Sequence, residues 1–407
     1  MHQPIHRPLD GAEKLFLVLD QIASKSFALV VTVEGELSAQ ALRLALDAVQ
    51  QRHPQLSASI KMDANFVFWF DNAQVNPIPL KVIETSTPSD WKRVVEEEIV
   101  RPFEVESGPL VRFIQLRKPG ESTLIGVVHH SVGDGHSLAL LFHDLFSVVA
   151  GQSLTSLATP KPMDELLGLL PSLPGGRAAE GRVVFKPMSA GRPTLELPTI
   201  DYLKVSAALT TRLVAISRQH ATTVNNLLNA ALVLAGAKLK TTWNERPVVL
   251  RSPASTREVV QAGNNFGLYI VTKLLAVTLT PATTVLELAT SMQDGLADIK
   301  SPPYVVGYVQ RFRDLLLKQA AISILVDGMK AAPGIDLMLT NLGRASLLGE
   351  WGAFRITSFW GPLVMAGDGS EQTVGAITFD NRLHLTHTSL RPLKGLLEAT
   401  VQILEEL

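Results

Sequence analysis

Two adjacent histidines, His129 and His130, and an aspartate, Asp134, are the residues whose types and spacing point most clearly to chemistry. A neutral imidazole with an ordinary pKa of about 6.5 can accept a proton at neutral pH and so act as a general base. The aspartate lies in the turn Gly133-Asp134-Gly135, where a carboxylate can accept backbone N–H groups or pair with an arginine. The pattern predicts a proton-transfer site beside a fixed loop.

The histidines lie at the end of a predicted β-strand. The apolar, β-branched run from Leu124 to Val128 stops at the Gly-Asp-Gly turn, which is typical of a buried strand. Successive side chains of a strand point to opposite faces, so His129 and His130 are not expected to serve the same site. Only one of the two should face a cleft.

Nearby histidines raise the question of a metal site. His136 and His143 follow the turn, but adjacent strand ligands diverge, and the spacing lacks the i, i+4 histidine pair of a helical metal site. His143 also falls in the next predicted helix rather than in the loop. The spacing therefore predicts no metal centre.

Composition restricts the functional classes. The chain has 407 residues, with 37 Lys+Arg against 38 Asp+Glu and a formal net charge of -1, so no overall field favours nucleic acid or an anionic membrane. Cysteine is absent, which excludes disulfides and a cysteine nucleophile and fits a reducing compartment. No secretion signal or spanning helix is visible, so we expect a cytoplasmic protein, and the length favours two domains.

The histidine segment resembles a known active-site signature. Residues 129–135 read H-H-x-x-x-D-G, similar to the signature of the chloramphenicol acetyltransferase-like superfamily. That group includes nonribosomal peptide condensation domains, plant-type alcohol acyltransferases and polyketide-associated acyltransferases that esterify phthiocerol-type lipids. Further segments resemble the same group, namely RPFEVESGPLVRF at 101–113, TTVNNLLNAALVLA at 222–235 and the T-N-L-G turn at 340–343.

The resemblance implies an α/β fold of two chloramphenicol acetyltransferase-like subdomains that form a pseudodimer with a central tunnel. We expect the first subdomain over residues 1–155, a connector over 156–195 and the second subdomain over 196–407. Periodicity predicts strands at 27–34, 66–70, 124–130, 199–205, 247–250, 337–340, 356–362 and 376–385. The last two of these strands are expected in the second sheet. Periodicity and capping signals predict helices at 39–52, 91–100, 137–150, 163–170, 224–239 and 392–406, and another helix that ends at 219.

The resemblance also assigns roles to the motif residues. His130, the second histidine, matches the general base of the superfamily, and His129 is then structural. Asp134, with Gly135 beside it, is expected to support the site by fixing the loop through an ion pair with an arginine. The segment V-V-L-R-S-P followed by N-F-G resembles the family pattern for that arginine, which indicates Arg251.

Other positions are open to more than one interpretation. Arg257 and Arg7 are the alternatives to Arg251 as the partner of the aspartate. Ser358 and Asn341 are polar and near glycine-containing turns, so they are candidate oxyanion donors or tunnel residues, although an ordinary turn hydrogen bond explains them as well.

The activity implied by the resemblance is acyl transfer. The donor would be a thioester, either acyl-CoA or a phosphopantetheinyl acyl or peptidyl carrier protein, and the acceptor a hydroxyl, in preference to an amine, of a lipid, polyketide or other secondary metabolite. We expect no permanently bound cofactor, no covalent acyl-enzyme, no nucleic-acid partner and a monomer.

Two other functions compete with this interpretation. A catalytically silent condensation-like module would hold a carrier protein or lipid without turnover, because an intact motif does not by itself prove catalysis. A hydrolase would use the same base on water. A transferase, unlike a hydrolase, needs the acceptor alcohol in order to consume its thioester.

Overall fold

A computed structural model of the chain describes residues 5–20, 23–63, 67–87, 90–169, 196–317, 334–347, 349–352, 354–367 and 369–407. The strands are β1 (His6–Pro8), β2 (Ser26–Gly35), β3 (Ser59–Met62), β4 (Phe68–Asp71), β5 (Leu80–Glu84), β6 (Val111–Lys118), β7 (Glu121–His129), β8 (Thr199–Lys204), β9 (Val248–Ser255), β10 (Ile270–Val277), β11 (Leu337–Arg344), β12 (Phe354–Val364), β13 (Gln372–Phe379) and β14 (Arg382–Ser389). The helices are α1 (Gly11–Leu19), α2 (Ala39–Arg52), α3 (Trp91–Glu98), α4 (Gly135–Val149), α5 (Met163–Leu166), α6 (Ala207–Gln219), α7 (Val224–Leu239), α8 (Val285–Leu296), α9 (Pro302–Leu317) and α10 (Leu396–Glu405), with short 3-10 helices at Pro54–Ser57 and Thr241–Asn244.

The first large sheet contains the histidine strand at its centre. Its strand order is β12-β2-β7-β6-β5, and β7 is antiparallel to both of its neighbours. The register pairs Ser26 of β2 with His129 of β7, so the histidines lie where β2 begins and β7 ends. Helix α4 follows directly from the turn and contacts both β2 and α2. The motif is therefore held between a central strand and a packed helix.

The second large sheet has the order β10-β9-β11-β13-β14-β8. Helix α7 packs against α6, α8 and α10 and is buried along most of its length, as its apolar composition predicted. Thr223 caps this helix by accepting a hydrogen bond from the N–H of Asn226. Because this half has its own cluster of buried side chains, the predicted division of an α/β fold into two sheet-and-helix halves is confirmed.

Strand β12 joins the sheet of the opposite half. It pairs antiparallel with β2, with Ile356 opposite Val33 and Val364 opposite Phe27. The prediction that the strand at 356–362 belongs to the second sheet is therefore wrong. An apolar run indicates that a strand is buried, but it carries no information about which strand it pairs with.

Three predicted elements differ in their extent. Strand β9 continues to Ser255, past its predicted end. The predicted T-N-L-G turn lies within β11, where a bulge falls between Asn341 and Arg344. The predicted strand at 376–385 consists of parts of β13 and β14, joined by a turn in which Asp380 and Asn381 have positive φ angles of 47° and 55°.

The boundaries at 155 and 195 stay a prediction. Strand β12 follows the second sheet's β11 in sequence but pairs with β2 of the first sheet, and helix α1 near the N-terminus packs against α9 of the second half. Contacts between the halves therefore do not follow the predicted boundaries. Most of the predicted connector, residues 170–195, lies outside the described residues, and so does the last residue of the helix predicted at 163–170, of which α5 is the first turn. Among the described helices, none has the length and apolar character that crossing a bilayer requires.

Candidate active site

His130 lies immediately after β7, with its ring between two aromatic side chains. Its backbone N–H donates to the carbonyl of Lys25 at 2.9 Å. Phe16 of α1 stacks on the imidazole with ring centroids 4.6 Å apart, and Phe27 of β2 lies 4.4 Å away on a tilted plane. These contacts fix the orientation of the ring.

The backbone sets the tautomer of His130. Its Nδ1 lies 3.1 Å from the carbonyl oxygen of Gly133, and because a carbonyl can only accept, Nδ1 must carry the hydrogen. Nε2 is then the basic atom. Burial lowers the pKa of His130 to about 4, against the opposing effect of the Asp134 carboxylate, so the imidazole is neutral at physiological pH.

His129 points to the other face of the strand and is fully buried. Its Nδ1 accepts a hydrogen bond from the N–H of Ser131 at 3.1 Å, so Nε2 carries the hydrogen and lies 3.4 Å from Oδ2 of Asp20. The two histidines thus have no shared site, as strand geometry predicted, and the contacts of His129 are those expected of a structural residue.

Asp134 is the N-cap of α4 and joins the two halves. Its Oδ1 accepts from the N–H of Ser137 at 2.7 Å, and its Oδ2 accepts from the N–H of Tyr269 at 2.9 Å. Burial alone would raise the pKa of Asp134, but the Arg257 guanidinium and these backbone hydrogen bonds lower it below the usual value. The carboxylate is therefore ionised and saturated with donors, which suits a structural anchor better than an acid or base.

The arginine paired with Asp134 is Arg257 and not Arg251. Nη2 of Arg257 lies 3.2 Å from Oδ1 of Asp134, whereas Arg251 donates to the carbonyl of Ala366 at 3.2 Å. The prediction of Arg251 is wrong because β9 continues past it, and the chain reaches the aspartate only after the strand ends. Arg7, the other alternative, pairs with Glu13 at 2.7 Å.

The sequence analysis did not identify three residues of this network, namely Ser137, Gly267 and Tyr269. The hydroxyl of Ser137 lies 2.6 Å from the carbonyl of Gly267 and 2.5 Å from Nη2 of Arg257. The third, Tyr269, packs its ring 4.9 Å from the guanidinium carbon of Arg257. The spacing D-x-x-S before a helix is an N-cap signal that could have indicated Ser137, but no local pattern connects position 134 to residues so far along the chain.

Both glycines of the turn allow close approach of other chain segments. A Cβ atom at Gly133 would lie 2.6 Å from the ring of Phe266, and one at Gly135 would lie 2.9 Å from Leu342 and 3.3 Å from Pro362. Gly135 therefore supports the site by letting β11 and β12 pack against the start of α4.

A cavity of about 800 Å³, including open space at its edge, lies beside His130 and between the two halves. The first half contributes Phe16, Lys25, Phe27, His130 and residues 134–136 to its wall. The second half and β12 contribute residues of β9, β10 and β11 together with Pro362 and residues 364–366. The wall is mainly apolar, which suits an extended hydrocarbon or polyketide group better than a sugar or nucleotide.

The two candidate oxyanion donors have different positions. Asn341 lines the cavity, and its Oδ1 accepts from the N–H of Gly343 at 2.8 Å, which leaves the Nδ2 donor for a ligand. Ser358 does not line it, and its hydroxyl accepts from the indole N–H of Trp360 at 3.0 Å. Ser358 pairs with Thr32, five residues along β2 from Phe27, which is about 17 Å at the rise of an antiparallel strand.

Among the described residues, no three histidine, aspartate or glutamate side chains come together as a metal site. His136 lines the cavity, whereas Nδ1 of His143 lies 3.8 Å from Asp144 on α4. The two histidines that follow the motif therefore belong to different environments.

Comparison with known proteins agrees with this geometry. The family model for the condensation domain matches residues 19–161, which include the whole histidine motif. Tyrocidine synthase 3 of Brevibacillus parabrevis is 26% identical over 158 residues, which are 37% of this chain and 2% of that protein. The chain thus spans only a small part of the length of this relative.

Two full-length similarities extend the comparison. Phthiocerol/phthiodiolone dimycocerosyl transferase of Mycobacterium sp. (strain JLS) is 26% identical over 369 residues, which are 83% of this chain and 82% of that protein. The structure of polyketide synthase associated protein 5 from Mycobacterium tuberculosis superposes with a TM-score of 0.66 at 18% identity, over 99% of this chain and 98% of that one. The chain has the fold of the chloramphenicol acetyltransferase-like superfamily. Its two halves are the two parts of the pseudodimer fold of that superfamily, and the cavity beside His130 lies between them.

Proposed function

We propose that the protein is an acyltransferase that moves an acyl group from a thioester to a hydroxyl group. The observation that carries this proposal is the state of His130, which is a neutral imidazole with Nδ1 held by the Gly133 carbonyl. Its Nε2 is available in a cavity that both halves line. The full-length similarity to a phthiocerol/phthiodiolone dimycocerosyl transferase supports acyl transfer to a lipid or polyketide acceptor.

The proposed reaction needs one proton acceptor and no covalent intermediate. Nε2 of His130 takes the proton of the acceptor hydroxyl as its oxygen attacks the thioester carbonyl. The tetrahedral adduct then collapses, the C–S bond breaks, and the imidazolium returns the proton to the departing thiolate. The products are an ester and a free thiol, so atoms and charge balance. General-base assistance contributes about 10² to 10⁴ in rate, and orientation in a water-excluding cavity supplies the rest.

Nearby charge assists this cycle. The Asp134 carboxylate raises the pKa of His130 in opposition to burial, so it stabilises the imidazolium that forms during the reaction. Because Arg257 and backbone N–H groups hold the carboxylate in place, this assistance is preorganised. Asn341 is the proposed donor to the developing oxyanion through Nδ2.

The donor is proposed to be acyl-CoA or an acyl carrier protein, and an ester is favoured over an amide. Both donors present the same phosphopantetheinyl thioester, so one cavity can accept either. The mainly apolar wall, which includes Met338, Leu342 and Val364, fits a hydrophobic acyl chain.

Product analysis tests the proposal. The purified protein is incubated with acyl-CoA thioesters of increasing chain length, with and without a long-chain alcohol, and the products are identified by mass spectrometry. We expect an ester in the presence of the alcohol and little thioester loss in its absence. Rapid thioester loss without an alcohol would identify a hydrolase, and no consumption across the panel would favour a binding module.

A further inference from the structure

Arg251 is a guanidinium in the cavity wall that lacks a carboxylate partner. It lies in β9, and its Nη1 donates one hydrogen bond to the carbonyl of Ala366 at 3.2 Å. Its Nε is buried and has no hydrogen-bond partner. Among the described residues, no carboxylate oxygen lies within 4.0 Å of its nitrogens.

Other largely buried arginines of the described chain are paired with a carboxylate, although the Nε atoms of Arg7 and Arg257 also lack a hydrogen-bond partner. Arg7 pairs with Glu13 at 2.7 Å, Arg112 with Glu98 at 2.6 Å, and Arg257 with Asp134 at 3.2 Å. A buried cation without a partner is costly, so such groups are normally paired. Arg251 departs from this rule at the one cavity that also contains His130.

The surroundings of Arg251 leave its charge only partly balanced. Burial lowers the pKa of Arg251, and the more distant Tyr308 and Glu371 raise it. The Glu371 carboxylate is already engaged, since its oxygens accept from the N–H groups of Gly367 at 2.8 Å and Gly369 at 3.0 Å. Lys25 of the first half reaches the same segment, where its Nζ donates to the carbonyl of Gly367 at 2.8 Å. The wall around residues 366–367 is thus approached by cations from both halves.

We propose that Arg251 binds an oxyanion of the substrate and so fixes the end of the substrate that does not react. The inference rests on the proposed function, because it takes the acyl donor and acceptor to occupy this cavity. Guanidinium recognises carboxylate and phosphate alike through paired hydrogen bonds. The oxyanion is therefore a carboxylate of the acyl group or acceptor, or the phosphate of the phosphopantetheine arm. Arg251 is a specificity residue in this account and takes no part in proton transfer.

Binding measurements separate these sources without requiring turnover. Calorimetric titrations use three ligands: hexanoate, 1-hexanol and 4'-phosphopantetheine. Each is titrated into the wild-type protein, Arg251→Gln, Arg251→Lys and the control Arg246→Gln. The exposed side chain of Arg246 pairs with Asp336 outside the cavity. We expect one anion to bind about 10- to 100-fold more weakly to Arg251→Gln, as for loss of charge-assisted hydrogen bonds. Arg251→Lys should retain part of the affinity, and Arg246→Gln and 1-hexanol binding should be unaffected.

Each outcome of these titrations has a defined meaning. A selective loss of hexanoate binding supports a carboxylate on the acyl group or acceptor, and a selective loss of phosphopantetheine binding supports the donor phosphate. If neither anion binds the wild-type protein, or both bind Arg251→Gln as tightly, the inference is overturned. A strong loss of thermal stability in both Arg251→Gln and Arg251→Lys would also overturn it, because Arg251 would then have a structural role.

Failure of this inference and failure of the proposed function are distinguishable. The His130→Ala protein should bind the anion as the wild type does, because the imidazole is not part of the anion site. If the protein transfers acyl groups but neither anion depends on Arg251, only this inference fails. If an anion depends on Arg251 but no acyl group is transferred, only the proposed function fails.

Discussion

Nη2 of Arg257 lies 3.2 Å from Oδ1 of Asp134, and this ion pair connects the first residue before α4 to the chain that follows β9. The side chain of Asp134 is 1% exposed and that of Arg257 is 12% exposed. The pair therefore holds the histidine loop of one half against the sheet of the other at a buried contact. The position of His130 depends on a contact between residues distant in sequence.

Removal of this carboxylate should destabilise the protein. Asp134→Ala leaves a buried guanidinium without its partner and removes the N-cap of α4, so we expect a loss of about 3 to 5 kcal/mol in the free energy of unfolding. Urea unfolding measures it. The matched control, Arg93→Gln, breaks a pair with Glu97 that is exposed on both sides and should cost about 0 to 1 kcal/mol. Equal effects of the two substitutions would contradict the role of Asp134.

The activity should depend on pH through His130. Because burial lowers its pKa to about 4, the base stays neutral well below pH 6.5, and kcat/KM should be constant from about pH 8 to pH 5 and fall only as pH approaches 4. An acid limb near pH 6.5 would mean that the imidazole is solvated rather than buried.

The lowered pKa of His130 should also make the folding stability of the protein depend on pH. Between its unfolded pKa of about 6.5 and its folded pKa of about 4, the unfolded chain binds a proton that the folded chain does not. The contribution of His130 to stability is therefore present above pH 6.5 and lost as pH falls towards 4. His130→Gln should reduce the slope of unfolding free energy against pH in that window.

The aromatic contact of Phe16 should control the acid limb. Phe16→Ala removes the ring that stacks 4.6 Å from the imidazole and lets water approach, so the pKa of His130 should rise from about 4 towards its usual value. The acid limb of kcat/KM would move to higher pH. Leu17→Ala on the same helix, buried away from the cavity wall, serves as the control and should leave the limb in place.

Asn341 should affect turnover more than binding. If its Nδ2 donates to the oxyanion, Asn341→Ala should lower kcat about 10²- to 10³-fold with little change in KM. Ser358→Ala is the matched comparison, because its hydroxyl accepts from Trp360 away from the cavity, and its kcat should stay near that of the wild type. Similar kcat values for Asn341→Ala and the wild type would remove Asn341 from the mechanism.

Local patterns predicted the elements around the site well. The apolar strand ending at His129, the turn and the following helix are read from hydrophobic runs, glycines and N-cap residues. Alternation along the strand correctly separated the two histidines onto opposite faces. The resemblance to a known signature then indicated the two-part fold.

The same local patterns could not predict contacts between residues that are distant in sequence. The choice between Arg251 and Arg257 depended on where β9 ends, and element ends are the least reliable part of a sequence interpretation. The position of Ser358 could not be predicted, because it depends on the register of β12 on β2, which puts the residue far from Phe27. The depressed pKa of His130 arises from burial under Phe16 and Phe27, and neither contact is visible until the chain is folded.

The most direct test of the central claim is the rate of ester formation by His130→Ala, measured by mass spectrometry with a thioester and alcohol pair that the wild type uses. The control is His220→Ala, which removes an exposed imidazole at the end of α6. We predict that His130→Ala stays folded and loses about 10²- to 10⁴-fold in rate, whereas His220→Ala matches the wild type. A folded His130→Ala protein that forms ester at the wild-type rate would contradict the assignment of His130 as the general base.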